Sequence, residues 1–364
     1  MRLNERRRYL EYAAANAYPH GRCGSNARWK LKNGELIITG TGDLYDLDST
    51  ELGFTQYTND ITYLSISDGI TILRARNFKD LSSIEGISFS PSLTNMGNNS
   101  TFQGCSALAR IDFNGTFTEW NLGTKTSLFA ANNSVKYLYC NGVYLPALLE
   151  LPDVTSIGPS TYRTLGNLET VVIGNNCTSI GLYAFQYCGN LADVTLGNAL
   201  QTIAADAFSH TALTEIDLPA SLTEIGANAF SSTQIATVNY AGNQTQYDAV
   251  NMIGSPASGN YRLYCAGNEV ENITVNKSFL RSNYRSCRSI KTATLTANVT
   301  DVVNQAFINC TNLTTVTILG TPTFGGNGIF SNCTNLTDIY VPWAQGAVAG
   351  APWGARNATI HYNS

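Results

Sequence analysis

The chain has 364 residues, of which only 13% are charged, and a net charge of −4. So little charge without a basic excess excludes a general nucleic-acid binder, which carries a basic face, and 43% hydrophobic residues exclude intrinsic disorder. A chain of this length buries a large core, under a surface wetted mainly by Thr, Asn, Ser and Gly.

Residues 1–22 read as an N-terminal helical segment, in which Glu5 and Glu11 dilute Arg6, Arg7 and Arg8 on a solvated face. No apolar stretch of signal-peptide length follows. No segment reaches the ~18 apolar residues of a membrane helix. Neither a classical export signal nor membrane insertion is therefore expected. Residues 23–60 read as a hairpin cap, because Trp29, Leu31, Leu36 and Ile38 alternate around Asn33-Gly34, a two-residue turn signal.

Residues 61–341 are organised by a repeat. The phrase Leu168-x-x-Val171-x-Ile173 recurs from Leu191, Leu213 and Leu313. Looser copies begin at Ile61, Ile84, Leu108, Val135, Ile235, Asn260, Ile290 and Leu336, and the regular steps are 22–24 residues. An aromatic residue sits six positions before the phrase at Phe78, Phe102, Phe129, Tyr162, Phe185, Tyr284, Phe307 and Phe330, and five before it at Phe208 and Phe230. The period-two ending predicts a short strand with its apolar residues inward. The stretch after it predicts a turn and a short helix-like segment that drops the aromatic into the interior. One turn cannot bury its apolar side alone, but stacked turns share a core. About twelve strands at ~4.8 Å predict a parallel sheet of roughly 55–60 Å. The segments from Asn114 to Arg163 and from Tyr240 to Tyr284 depart from the period.

Other residues keep the same phase. Cys105, Cys188, Cys287, Cys310 and Cys333 lie three residues after the aromatic, where Leu81 and Leu165 stand in other turns. They read as buried structural thiols, and Cys140 and Cys265 fall on inward strand positions. The 23-residue spacing of Cys287, Cys310 and Cys333 does not match zinc-ligand pairs. Asn167, Asn190, Asn312 and Asn335 precede the repeat phrase and read as a buried ladder bonding the backbone of adjacent turns. Residues 342–364 read as a C-terminal cap, with Trp343, Pro352 and Trp353 closing the last turn and a strand near Thr359 to Tyr362.

The turns GNALQTIAADAFSHTALTEIDLPASLTEIGANAFSSTQI and VNQAFINCTNLTTVTI resemble the BspA-type leucine-rich-repeat family, and CGSNARWKLKNGELIITGTGDLYD looks like that family's hairpin cap. The resemblance covers roughly Cys23 to Val341. It implies an α/β repeat: a leucine-rich-repeat solenoid of about twelve turns with a parallel strand face, an N-terminal hairpin cap and a C-terminal cap. Members of that family are mostly surface proteins of bacteria and some protists, used in adhesion. The tail IYVPWAQGAVAGAPWGARNATIHY looks like endings of repeat proteins from gut bacteria and their phages.

Catalytic chemistry finds no constellation. His20, His210 and His361 are scattered, and no Cys-x-x-Cys, G-x-S-x-G elbow or P-loop is present. GTGDLY at Gly40 lacks the third glycine and the helix of a dinucleotide site. Glu215 and Asp217 read as solvated carboxylates, so no metal, no cofactor and no enzyme activity is expected. The outward strand positions are more informative. NSVKYLYC (Asn133 to Cys140) and SGNYRLYC (Ser258 to Cys265) are alike and precede irregular segments, which makes Tyr137, Tyr139, Asn141, Arg262 and Tyr264 the candidate ligand-binding residues. Five turns at sheet spacing would place the two modules ~24 Å apart. A second candidate patch is Lys277, Arg281, Arg285, Arg288 and Lys291, aligned at spacings of three and four for an acidic glycan. The expected function is non-catalytic recognition of a protein or polysaccharide partner, on a phage particle or a bacterial surface. The alternatives are an intracellular interaction scaffold and a carbohydrate-active enzyme.

Overall fold

The computed structural model describes residues 18–98, 100–120 and 135–363. They fall into two compact units, Met1–Pro146 with Gly158–Asn167, and Ala147–Ile157 with Leu168–Ser364. Phe129 and most of the expected N-terminal helical segment lie outside the described residues. The described end of that segment, His20–Arg22, is a strand antiparallel to Asn26–Lys32.

In the first unit the chain opens as the expected hairpin, Asn26–Lys32 against Glu35–Asp43. Asn33 (φ 51°) and Gly34 (φ 84°) supply the two left-handed residues that a type I′ turn requires. Trp29, Leu31, Leu36 and Ile38 are buried beneath it. Parallel strands then stack on Glu35–Asp43 in the order Tyr63–Ile66, Gly86–Phe89, Arg110–Phe113 and Tyr137–Cys140. Tyr63–Ile66, Arg110–Phe113 and Tyr137–Cys140 alternate an outward with a buried residue, as a period of two demands, while Gly86–Phe89 is buried at Gly86 as well.

The second unit repeats this turn. Its strand face consists of Leu148–Leu151, Thr170–Ile173 and Asp193–Thr195; then Glu215–Leu218, Thr237–Tyr240 and Arg262–Cys265; then Asn272–Val275, Thr292–Leu295, Thr315–Ile318, Asp338–Val341 and Thr359–Tyr362. The last of these is the expected cap strand, parallel to Asp338–Val341. Trp353 is buried in the cap and stacks on Phe324 at 4.3 Å.

One continuous parallel sheet does not form. After Tyr137–Cys140, Asn141 (φ 48°) and Gly142 (φ 77°) turn the chain back, and Val143–Tyr144 pairs antiparallel with the strand just left. Ala266 (φ 48°) and Gly267 (φ 78°) do the same between Arg262–Cys265 and Asn268–Glu269. The returning strand occupies the edge groups that the next parallel strand would use. A new ladder therefore starts after each hairpin, at Leu148–Leu151 and at Asn272–Val275.

The aromatic segments are not helical either. Among the described residues, helix is confined to the turn Thr55–Tyr57 and to Phe117–Trp120 and Gln244–Ala249. In the regular turns the inward aromatic instead sits in an arch with left-handed residues two before and two after it: Tyr183 and Tyr187 around Phe185, Asp206 and His210 around Phe208, Asn228 and Ser232 around Phe230. A non-glycine residue in that conformation costs roughly 1–2 kcal/mol. The arches recover this by pairing between turns, as where the N–H of Phe185 donates to the Ala207 carbonyl and that of Phe208 to the Ala229 carbonyl, both at 2.8 Å. Inside, the rings stack face to face. Phe54, Phe78 and Phe102 form one run, Phe185, Phe208 and Phe230 another, and Tyr284, Phe307 and Phe330 a third, with centroids 5.2–6.0 Å apart.

The slot after the aromatic behaves as expected. All nine cysteines are buried. The thiols of Cys105, Cys310 and Cys333 donate at 3.0 Å to the carbonyls of Phe78, Tyr284 and Phe307, the aromatic residues of the preceding turns. Burial pushes the Cys105 thiol up to about 12 and that of Cys310 well above its ordinary value. Thiol reagents are therefore expected to label Cys310 and Cys333 only after denaturation. Rapid labelling of the folded protein at either residue in a mass-spectrometric time course would contradict this.

The asparagine ladder is corrected. Asn190, Asn312 and Asn335 are exposed, whereas Asn167 bonds an adjacent turn through the Leu145 carbonyl at 2.5 Å. The buried asparagines among the described residues are Asn77 and Asn283, directly before the inward aromatic, which bond Tyr45 and Leu47, and Tyr247 and Val250, respectively. A side chain beside the inward aromatic points into the stack, whereas one before the strand lies at its rim.

Candidate recognition surface

In the first unit, neighbouring strands bring outward residues of four turns together. Tyr63 lies across the next strand at Gly86, where an added Cβ would fall 2.5 Å from its ring. The missing side chain lets the Tyr63 hydroxyl reach Asp112, to which it donates. Arg110 grips the same carboxylate with Nε at 2.7 Å and Nη2 at 2.8 Å. Its guanidinium lies 4.2 Å from the ring centre of Tyr139, which packs 5.1 Å from Tyr144 on the hairpin's return strand. Tyr137, 46% exposed, completes the shelf at 6.2 Å from Tyr144, itself 39% exposed.

Part-burial alone works against the Asp112 charge, but the bonds from Arg110 and Tyr63 outweigh it and hold the carboxyl below its ordinary value. The cleft above these residues measures about 650 Å³, and Glu85 lines it as well. It offers a fixed ion pair, a second carboxylate at Glu85 with no ion pair among the described residues, and exposed aromatic faces. The sequence pattern singles out Tyr137 and Tyr139, and both line this cleft. Tyr144 and Gly86 were not, although Asn141-Gly142 signals the hairpin that delivers Tyr144. Asn141 itself serves as the first left-handed residue of that turn.

The second unit holds a module built on the same plan. Helix Gln244–Ala249 opens with a capping box between Asn243 and Gln246, as Thr116 and Glu119 cap Phe117–Trp120. The Tyr247 hydroxyl donates to the Asn283 carbonyl at 3.0 Å, just as Trp120 donates to Thr161 at 2.9 Å, each acceptor preceding an inward tyrosine. At the hairpin the chemistry changes. Arg262 and Glu269 form an ion pair at 2.8 Å where the other module has Tyr137 and Tyr144, and Tyr264 lies across from Glu269. The cleft of about 450 Å³ beside this hairpin is lined by Glu269 and Glu271, and neither Arg262 nor Tyr264 contributes to it.

The second cationic patch is dispersed, because residues 277–291 form a short strand, Phe279–Leu280, and turns rather than a helix. Lys277 turns inward to the Asp248 and Asn283 oxygens, Lys291 pairs with Glu271 at 2.6 Å, and Arg281 lies over the Phe279 ring. Arg288 is part-buried, and Arg285 lines a separate pocket. No group of three or more metal-ligating side chains occurs among the described residues. His210 stacks on Tyr187, and His361 pairs with Asp338. No described helix is long and apolar enough to cross a membrane.

Stacked parallel strands, an inward aromatic ladder and capped ends define a leucine-rich-repeat solenoid, a repeat scaffold of the protein-binding kind. The BspA-type leucine rich repeat region matches in six copies over residues 52–142, 136–251 and 261–345. The chain belongs to that family. It is similar to a leucine rich cell surface protein of Faecalibacterium prausnitzii, with 18% identity over 88% of this chain and 94% of that one and a TM-score of 0.42. A leucine-rich-repeat protein of Bacteroides ovatus is 15% identical over 93% of this chain and 99% of that one, with a TM-score of 0.43. No curated protein sequence matches the chain.

Proposed function

We propose that this is a non-catalytic recognition protein that binds a partner's glycan on the strand face of its first unit. The observation that carries the reading is the cleft itself, in which exposed Tyr137 and half-buried Tyr139, backed by Tyr144, flank an Arg110–Asp112 pair already satisfied within the fold. Aromatic faces with polar edges suit the apolar faces and hydroxyls of sugars. With Glu85 and Asp112 against Arg110, the cleft has no surplus positive charge, which favours a neutral glycan over an acidic one. Display on a bacterial surface or a phage particle is part of the proposal, and family membership supports it. A protein partner engaging the same tyrosines is the second reading, since repeat scaffolds of this family bind proteins.

A glycan array on the purified protein tests the proposal. Binding energy concentrates in a few anchors, so replacing Tyr137 and Tyr139 together by Ala is expected to weaken a positive interaction by at least ~2 kcal/mol while the protein stays folded. Tyr162→Ala is the control, because Tyr162 is wholly buried and its loss should damage stability instead. Unchanged affinity in the double variant would move the site elsewhere.

A further inference from the structure

The arches of the second unit carry a directional hydrogen-bond ladder. The N–H groups of Tyr183, Phe185 and Tyr187 donate to the carbonyls of Ala205, Ala207 and Ser209, and those of Asp206, Phe208 and His210 to the carbonyls of Ala227, Ala229 and Ser231. At the next arch the ladder stops. The N–H groups of Asn228, Phe230 and Ser232 have no hydrogen-bond partner among the described residues. The following turn belongs to the irregular module, and Ile253 to Ser258 takes a wider path there. It touches this arch through Ser258, whose hydroxyl donates to the Phe230 carbonyl and accepts from the Thr233 N–H. Between the two segments lies a pocket of about 390 Å³.

We propose that this pocket binds a tetrahedral oxyanion, a phosphate or sulfate group. Asn228 and Ser232 line the pocket with Phe230 between them, their three alternate N–H groups face one way as their equivalents in the preceding arches do, and Arg285 adds a guanidinium with no ion pair among the described residues. Ser231 and Ser232 supply hydroxyls, and no carboxylate lines the pocket. A concavity of unpaired N–H groups beside a cation, without an opposing acceptor charge, selects anions. The pocket's size leaves room for an oxyanion carried on a sugar or another larger group as well as for the free ion. This site is independent of the tyrosine cleft.

Amide chemical shifts during titration with inorganic phosphate, a phosphorylated hexose and the plain hexose test the assignment. The amides of Asn228, Phe230 and Ser232 are expected to move with one or both phosphates and not with the plain hexose. A preference for the ester would identify a group on a larger ligand, and a preference for phosphate the free ion. Arg285→Ala, an exposed position, is expected to weaken binding about tenfold or more without loss of fold. Gly254→Ala, whose Cβ would sit 3.0 Å from the Asn228 nitrogen, is expected to block it. No shift at these amides with either phosphate, equal response to the plain hexose, or wild-type affinity in Arg285→Ala would overturn the proposal.

Discussion

Phe208→Ala is expected to lower stability by about 3–5 kcal/mol, the range for truncating a buried aromatic residue. The Phe208 ring is fully buried between Phe185 at 5.2 Å and Phe230 at 5.5 Å, nearly parallel to both. Its removal therefore opens a cavity and breaks two stacked pairs at once. Stacked turns contact only their neighbours, so the loss should appear first as amide exchange from residues 185–230 and then in urea melts. Tyr187→Ala, on the exposed side of the same stack, is expected to cost about 1 kcal/mol through its contact with His210. Equal costs for the two substitutions would show that the inward ladder does not hold the turns together.

The second large effect is a pH dependence set by Asp248. Burial pushes its carboxyl up to about 6, although the Tyr284 hydroxyl, Lys277 and Gln244 pull the other way. Burial likewise lowers the Lys277 ammonium below its ordinary value. An unfolded Asp titrates near 3.9. Between these two values the folded chain holds a proton that the unfolded chain has released, so this contribution is greatest at low pH and is lost as pH rises through about 6. The loss amounts to about 3 kcal/mol. Asp248→Asn imitates the protonated acid and keeps an acceptor for Tyr284. Its stability relative to the parent is expected to rise by about 2 kcal/mol between pH 4 and pH 7, where most of the loss falls. A difference that is flat across this range in parallel denaturation curves would mean that the carboxylate is charged in the fold and held by Lys277.

The irregular segments show where sequence reading stops. NSVKYLYC and SGNYRLYC were legible as related modules, and the structure extends the likeness to the capping boxes and the buried Trp120 and Tyr247. Neither hairpin return nor the strands Leu148–Leu151 and Asn272–Val275 followed from the period, because a 22–24-residue template passes over them. The cationic patch failed for a related reason. Spacings of three and four align side chains only on a helix, and residues 277–291 turn instead, so Lys277 faces inward while Lys291 pairs at the surface.

The sequence by itself determined the stacked turns, the inward aromatic residues, the buried thiols, the hairpin around Asn33-Gly34 and the closing strand. Each is a local pattern in fixed phase, and in a solenoid a residue's phase within its turn decides whether it faces core or solvent. Only the tertiary structure decided where the ladders break and which outward side chains converge. Tyr63 and Asp112 are 49 residues apart, and they meet because Gly86 leaves the strand between them bare and the three strands stack in register. The arch at Phe230, whose alternate N–H groups have no partner among the described residues, likewise depends on the path of the following turn, a relation between neighbours that the phase of a single turn does not contain.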